Sequence, residues 1–270
     1  MSWLRSTLLR ALPKVMLSRA CGLLASTPLP LWARPRIYGW FSRRYGVQLG
    51  EVPAELVSFR SLQEFFRRSL RSGARPVADS SLVWPCDGRI VTVGAVTDGR
   101  LPQVKGRDYA LADLLGDAEL ARSLEGGSQA TIYLAPGDYH RVHAPFDATI
   151  ESVRALPGTL FPVNPAAVRC IGNLFARNSR HVFRCRLRSG APATVVMVGA
   201  YNVGGTTVTR DRGEVRAGDE IGQFGFGSTV VAIVGRGTAA FADREPEQQV
   251  RMGASACRER EAAASGTPRS

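Results

Sequence analysis

From Val83 onward the chain keeps returning to one pattern: short β-branched runs set between Gly, Pro and Asp turns. "GRIVTVGAV", "ATIYLAP", "ATIESVRAL", "HVFRCRL", "ATVVMVGAYNVG" and "STVVAIVG" each hold enough β-branched residues for one strand. The pattern predicts an α+β protein with a mainly antiparallel β core. Its helices are few: "LADLLG" from Leu111 is expected to be a short helix ended by Gly116. "SLQEFFRRSLR" reads as a helix with Ser61 as N-cap, Glu64 in the capping-box position, and Leu62, Phe65, Phe66 and Leu70 on its apolar face. Pro76 closes that element. "RAGDEIGQF" reads as a hairpin turning at Gly218-Asp219.

The segment before this β region differs in chemistry. Ahead of Glu51, the first acidic residue, stand Arg5, Arg10, Lys14, Arg19, Arg34, Arg36, Arg43 and Arg44, interleaved with Trp3, Leu8, Leu12, Leu24, Leu31, Trp32, Tyr38, Trp40 and Phe41. Over the whole chain, 35 basic residues face 23 acidic ones, so an anionic partner is expected. Net charge does not separate nucleic acid from a lipid surface, but so apolar a cationic segment favours lipid and argues against nucleic acid. Its longest uncharged stretch, residues 20–33, is shorter than the roughly 20 residues a spanning helix needs and contains Pro28 and Pro30. Amphipathicity is imperfect: Arg10 and Lys14 lie opposite Leu4, Leu8 and Leu12, whereas Arg5 and Arg19 do not, and Pro13 interrupts the first helix. A transit peptide and a helix pair packed on the core are the alternative readings. The expected organisation is a membrane-associating helical region over residues 1–75, a catalytic β domain over 76–257 and a frayed tail over 258–270.

The five cysteines, Cys21, Cys86, Cys170, Cys185 and Cys257, are odd in number and scattered, which suggests neither a disulfide framework nor a zinc ribbon. Two of the three histidines, His140 and His143, share the stretch "YHRVHAP". On a helix this spacing would put both rings on one face, and at a strand end it would split them. Together with Asp87 of "CDG" they allow two chemistries. A zinc site would use all three and keep a coordination position open for water. A triad would have Asp87 orient a histidine that activates Ser228. In "GFGSTVV" a serine hydroxyl can attack the carbonyl before it, and Gly227 removes the side chain that would crowd that attack. Read blandly, Gly227-Ser228 only begins a strand, and Asp87-Gly88 is only a turn.

Six stretches, "FGST" at 226–229, "YHRVHAP" at 139–145, "CDG" at 86–88, "LFPVNP" at 160–165, "NLFARNSR" at 173–180 and "VGAYNVG" at 198–204, together resemble the motifs of the phosphatidylserine decarboxylase family. With the "FFRRSLR" segment the likeness runs from about residue 40 to 235. The family's usual Leu-Gly-Ser-Thr carries Phe226 here in place of leucine, which leaves the reacting pair intact.

The resemblance implies a pyruvoyl-dependent, self-processing membrane enzyme. Asp87 would orient His143, which would take the Ser228 proton for attack on the Gly227 carbonyl. Ester formation, elimination to a dehydroalanine, and its tautomerisation and hydrolysis with loss of ammonia would then yield a β chain 1–227 and an α chain 228–270 carrying an N-terminal pyruvoyl group. That group would form a Schiff base with phosphatidylserine, release carbon dioxide and give phosphatidylethanolamine, with His140 protonating the carbanion. Asn164, Asn173 and Arg177 could contact phosphate or carboxylate, or only cap turns. His181 reads as structural. The resemblance further implies an anionic phospholipid membrane as partner, a heterodimer of the two chains with any higher homo-oligomer left open, and a peripheral position on the cytoplasmic face of a bacterial-type membrane. Rival classes are a zinc hydrolase and a noncatalytic membrane-docking β domain.

Overall fold

The computed structural model describes residues 22–102, 108–159, 161–163, 167–168, 171–199, 206–225 and 228–258. Gly227, Asn164, the first 21 residues and most of the tail lie outside them.

Helix α1 (Arg34–Tyr45) has a proline in its first turn, Arg43 and Arg44 in its last, and left-handed Gly46 as its C-cap, each favourable at its position. Tyr38 and Phe41 of α1 pack with Val47, Val52, Phe59, Phe65 and Phe66 into a separate small core. Helix α2 (Leu62–Phe66) begins as its sequence suggests, with the Ser61 hydroxyl accepting from the Glu64 N–H at 3.2 Å. The Glu64 carboxylate reaches back one residue further than a capping box requires, accepting from the Arg60 N–H at 2.7 Å. The helix does not continue to Arg71 but stops after five residues. Arg67 and Arg68 turn instead toward carbonyls of the β domain.

Beyond it the strands are β1 (Gly88–Ala95), β2 (Arg100–Leu101), β3 (Tyr109–Ala110), β4 (Ser128–Leu134), β5 (Arg141–His143), β6 (Ala148–Leu156), β7 (Arg180–Leu187), β8 (Pro192–Gly199), β9 (Thr206–Val208), β10 (Gly213–Val215), β11 (Glu220–Phe224), β12 (Ser228–Val234) and β13 (Gln249–Val250). The short helices are α3 (Leu111–Leu115), ended by left-handed Gly116 as expected, α4 (Ala118–Ser123) and α5 (Leu174–Arg177). Eight strands form one sheet in the order β10-β6-β7-β8-β12-β4-β1-β13, every pairing antiparallel. A second sheet, β5-β11-β9, lies over it. β10 and β11 therefore belong to different sheets. Their connection turns at Gly218 (φ 91°), as the sequence suggests, but the two strands do not pair as a hairpin.

Alternation along β12 and β8 sorts the core into two faces. Val230, Ala232, Val234, Val195 and Met197 pack with Val142, Ile221 and Phe224 of the small sheet. Val231, Ile233, Val196 and Val198 pack on the opposite side beneath Leu111, Leu114, Leu120 and Phe175 of the helices. The α+β architecture with a mainly antiparallel core thus has helices on one face and the small sheet on the other. All seven residues of β12 are buried, and the strand pairs over its full length with β4 and β8. Ser228, in phase with Val230, points toward the layer that carries the histidines.

Candidate active site

The two histidines flank the short strand β5. After Leu134 the chain makes a tight turn in which the Asp138 carboxylate accepts from the Ala135 N–H at 2.7 Å, and this delivers His140 just before β5 and His143 at its end. The rings consequently separate. His140 lies against Phe66, centroids 3.8 Å apart, and its Nε2 is 3.0 Å from the Ala135 carbonyl. A carbonyl only accepts, so Nε2 carries the hydrogen and Nδ1 the lone pair. Among the described residues that buried Nδ1 has no hydrogen-bond partner. Burial, helped by the nearby Arg68 charge, lowers the His140 pKa from 6.5 to about 3.

His143 faces different groups. Its Nδ1 is 2.7 Å from the Gly218 carbonyl and its Nε2 3.2 Å from the Tyr139 hydroxyl, so the same logic makes Nδ1 the donor and Nε2 the acceptor. Burial lowers its pKa, opposed by the Gly218 hydrogen bond and by the charges of Glu220 and Asp87.

Asp87 is not hydrogen-bonded to His143. Its carboxylate is gripped by the Arg75 Nε and Nη2, at 2.9 and 2.5 Å at the closest, and also accepts from the Met252 N–H at 2.9 Å. Arg75 in turn reaches Glu51 at 2.9 Å. The link from Asp87 to His143 is one of charge and backbone: the His143 N–H donates to Pro85 at 2.8 Å, two residues before the aspartate. A polar cavity of about 160 Å³ opens beside this group, bordered by Glu51, Arg68, Arg75, Asp87 and Tyr139.

Ser228 is buried at the head of β12, and its hydroxyl donates to the Gly225 carbonyl at 3.2 Å. In register it faces Leu134, whose successor Ala135 holds the His140 ring. The preceding segment is pinned at Phe224, whose N–H donates to the His140 carbonyl at 2.9 Å and whose carbonyl accepts from the Arg67 Nε at 3.3 Å. Arg68 holds the Gly137 and Asp138 carbonyls at 2.8 and 3.1 Å. The "FFRR" stretch thus supplies one wall of the site, a role that its helical periodicity did not reveal.

The other candidates lie elsewhere. Asn173 caps α5 in a left-handed conformation, without a side-chain capping bond, and the Arg177 guanidinium lies 4.8 Å over the Phe161 ring. Their neighbour Asn178, passed over in the sequence, is the organising residue: its amide bonds Phe161 on both backbone sides and the Gly199 carbonyl, opposite Ser228. His181 meets the Thr206 hydroxyl across the two sheets. Among the described residues no group of three or more His, Cys, Asp and Glu is placed to hold a metal ion.

A model of the phosphatidylserine decarboxylase family matches residues 62–258, the span from α2 to the end of the described chain. The chain belongs to this family. Among its relatives are proteins named phosphatidylserine decarboxylase proenzyme from Anaeromyxobacter sp. (strain K), 42% identical over 91% of this chain and 94% of the relative, and from Alcanivorax borkumensis, 38% identical over 91% and 92%. A third so named, from Pseudomonas aeruginosa, is 38% identical over 86% of this chain and 88% of its own. The match begins at Leu62, so the family unit includes the "FFRR" wall as well as the β core.

The buried neutral histidine of this decarboxylase has a consequence for stability. A base whose folded pKa is depressed binds fewer protons folded than unfolded, so its contribution is complete above the unfolded value near 6.5 and is lost as pH falls toward 3. Denaturant unfolding of the Ser228→Ala chain is expected to show up to about 2 kcal/mol lost through His140 between pH 6.5 and 5, at 1.36 kcal/mol per pH unit. His140→Asn should flatten that slope.

Proposed function

We propose that this chain is a self-processing, pyruvoyl-dependent decarboxylase that converts phosphatidylserine to phosphatidylethanolamine and carbon dioxide at a membrane surface. The observation that carries the reading is the family match over a segment in which Ser228 heads a buried strand in register with the turn that holds His140. In processing, His143 Nε2 accepts the Ser228 proton, and the hydroxyl oxygen attacks the Gly227 carbonyl to exchange the peptide for an ester. Elimination then leaves residues 1–227 ending in a carboxylate and residues 228–270 starting with a dehydroalanine, which tautomerises to an imine that water hydrolyses to the pyruvoyl group with release of ammonia. Asp87 assists by its charge and by anchoring Met252 of the downstream chain. The fragments stay together because β12 is paired on both edges, and each fully buried Val or Ile in it adds about 1.5–3 kcal/mol.

The residues fit the group this produces: it would occupy the Ser228 position, on the strand paired beside the turn that holds His140, whose buried Nδ1 has no partner among the described residues. A pyruvoyl group supplies an electron sink for the carbanion left by carbon dioxide. His140 Nδ1 is the atom assigned to return the proton. Its low pKa keeps it neutral until an anionic headgroup enters and favours the charged ring. Asn164, Asn173 and Arg177 are the candidate headgroup contacts.

The membrane reading gives the lipid contact to the region 1–75, whose last residues Arg67, Arg68 and Arg75 turn inward to the catalytic domain over 76–257, and leaves 258–270 as a tail, on the cytoplasmic face. No described helix is long and apolar enough to cross a membrane. Yet Leu23, Leu24, Leu31 and Trp32 are each about 70% exposed and Trp40 57%, beside Arg36, Arg43 and Arg44. Tyr38 and Phe41 pack inward instead, so α1 serves both core and surface. Trp32→Ala combined with Trp40→Ala is expected to reduce co-sedimentation with anionic phospholipid vesicles severalfold. Added salt should weaken wild-type binding, each basic residue near the surface contributing about 1 kcal/mol. Binding unaffected by either change would remove α1 from the membrane.

The function itself is tested by incubating purified protein with vesicles containing phosphatidylserine. Carbon dioxide and phosphatidylethanolamine are expected; a folded chain that stays uncut and releases neither would end the reading.

A further inference from the structure

We propose that Arg68 is a positioning residue for His140, its guanidinium clamping the turn from which the imidazole is held. The inference rests on the decarboxylase reading above, in which His140 Nδ1 returns the proton. The ring is tied to one atom of that turn: the Ala135 carbonyl accepts from His140 Nε2 at 3.0 Å and also from the Asp138 N–H at 2.9 Å. The Asp138 carboxylate closes the turn by accepting from the Ala135 N–H at 2.7 Å. Arg68 Nη2 donates to the carbonyls of Gly137, at 2.8 Å, and Asp138, at 3.1 Å. Two carbonyls held by one nitrogen fix the middle of the turn, and with it the oxygen that carries the ring. The other face of the imidazole's support comes from the same segment, Phe66 stacking on the ring at 3.8 Å.

Arg68 is only 4% exposed. A buried cation without a counter-ion is unfavourable, so its placement calls for a reason beyond stability. Among the described residues Arg68 forms no ion pair and its Nε has no hydrogen-bond partner, because the Asp138 carboxylate is turned to the Ala135 N–H and that of Asp87 is taken by Arg75. Its uncompensated charge falls on the ring it steadies. Arg68 is the charged group that adds to burial in disfavouring the imidazolium, whereas Asp138, Asp87, Glu51 and Arg75 act on Arg68 itself. One side chain thus sets both the place of the ring and its uncharged resting state. The turn is also confined from the side of α1, since a Cβ on Gly137 would lie 2.0 Å from the Tyr45 carbonyl oxygen.

The test compares Arg68→Met, which removes donors and charge at similar length, with Arg68→Lys, which keeps the charge. On phosphatidylserine vesicles, with rates normalised to the processed fraction, Arg68→Met is expected to lower kcat about tenfold at unchanged KM, and Arg68→Lys to recover most of that loss. Nitrogen chemical shifts of His140 in the uncut Ser228→Ala chain give a readout independent of processing. There the ring should become half-protonated about one pH unit higher when Arg68→Met is added, and should stay where it was with Arg68→Lys. A variant that merely loosens the fold would give lysine no means of restoring that midpoint. Should Arg68→Met not fold, Arg68→Gln replaces it, since its amide can still donate to a carbonyl without the charge. A folded, charge-free variant with unchanged kcat, or with an unchanged His140 titration, would overturn the role of Arg68. A wild type that neither divides nor releases carbon dioxide would overturn the decarboxylase reading instead, and the titration of the uncut chain would still decide whether Arg68 governs His140.

Discussion

Purified Ser228→Ala protein is expected to run as one full-length chain where the wild type runs as two, the smaller wild-type fragment starting at residue 228 and weighing one ammonia less than a serine-started peptide. The reason lies in what the hydroxyl does and does not do in the fold. Among the described residues it makes one hydrogen bond, to the Gly225 carbonyl, in a strand held by backbone pairing on both edges. Losing that bond costs on the order of 1 kcal/mol, far too little to unfold the sheet. Loss of the nucleophile, in contrast, removes the reaction altogether. On the proposed mechanism decarboxylation should vanish with the cleavage, since the pyruvoyl group would be made from the same residue. Intact mass spectrometry beside a thermal melt decides the matter: two chains from the alanine variant, or one chain from a folded wild type, would each defeat the mechanism.

The second large effect should fall on turnover and spare processing. His140→Asn removes the ring that stacks on Phe66 and the Nδ1 assigned to the carbanion, yet keeps the backbone carbonyl that anchors Phe224. The variant should still separate into two chains. Its release of carbon dioxide from phosphatidylserine vesicles should drop by about 10² to 10⁴, the range for loss of a general acid. Activity should be normalised to the processed fraction, because that separates the two histidines. A variant that fails to cleave, but whose cleaved fraction turns over normally, would exchange the roles assigned to His140 and His143.

Much of the candidate site was legible in the chain because its residues carry their chemistry locally. Gly227-Ser228 ahead of a β-branched run, the paired histidines and Asp87 all stand in short stretches whose meaning depends on residue type and order. The pieces that escaped are those whose function comes from distant partners. Arg75 occurs among several arginines before Pro76, and nothing nearby marks it as the one that grips Asp87. Arg67 and Arg68 read as the polar face of a helix until their bonds to Phe224, Gly137 and Asp138, about 70 to 160 residues away, draw them out of it. Asn178 looked no different from Asn173, although it alone of the two ties the loops to the strand beside Ser228.

The sequence by itself determined the strand-rich core, the short helix ended by Gly116, the turn at Gly218 and the family, since period, turn chemistry and motif identity are properties of contiguous residues. Tertiary structure alone decided that β10 and β11 join different sheets, that Tyr38 and Phe41 turn inward while Trp32 and Trp40 face out, and that a backbone carbonyl and a tyrosine hydroxyl, rather than Asp87, hold the His143 ring. The physical reason is the same in each case. A hydrogen bond is satisfied by whichever partner folding brings within about 3 Å, and sequence separation does not measure that distance.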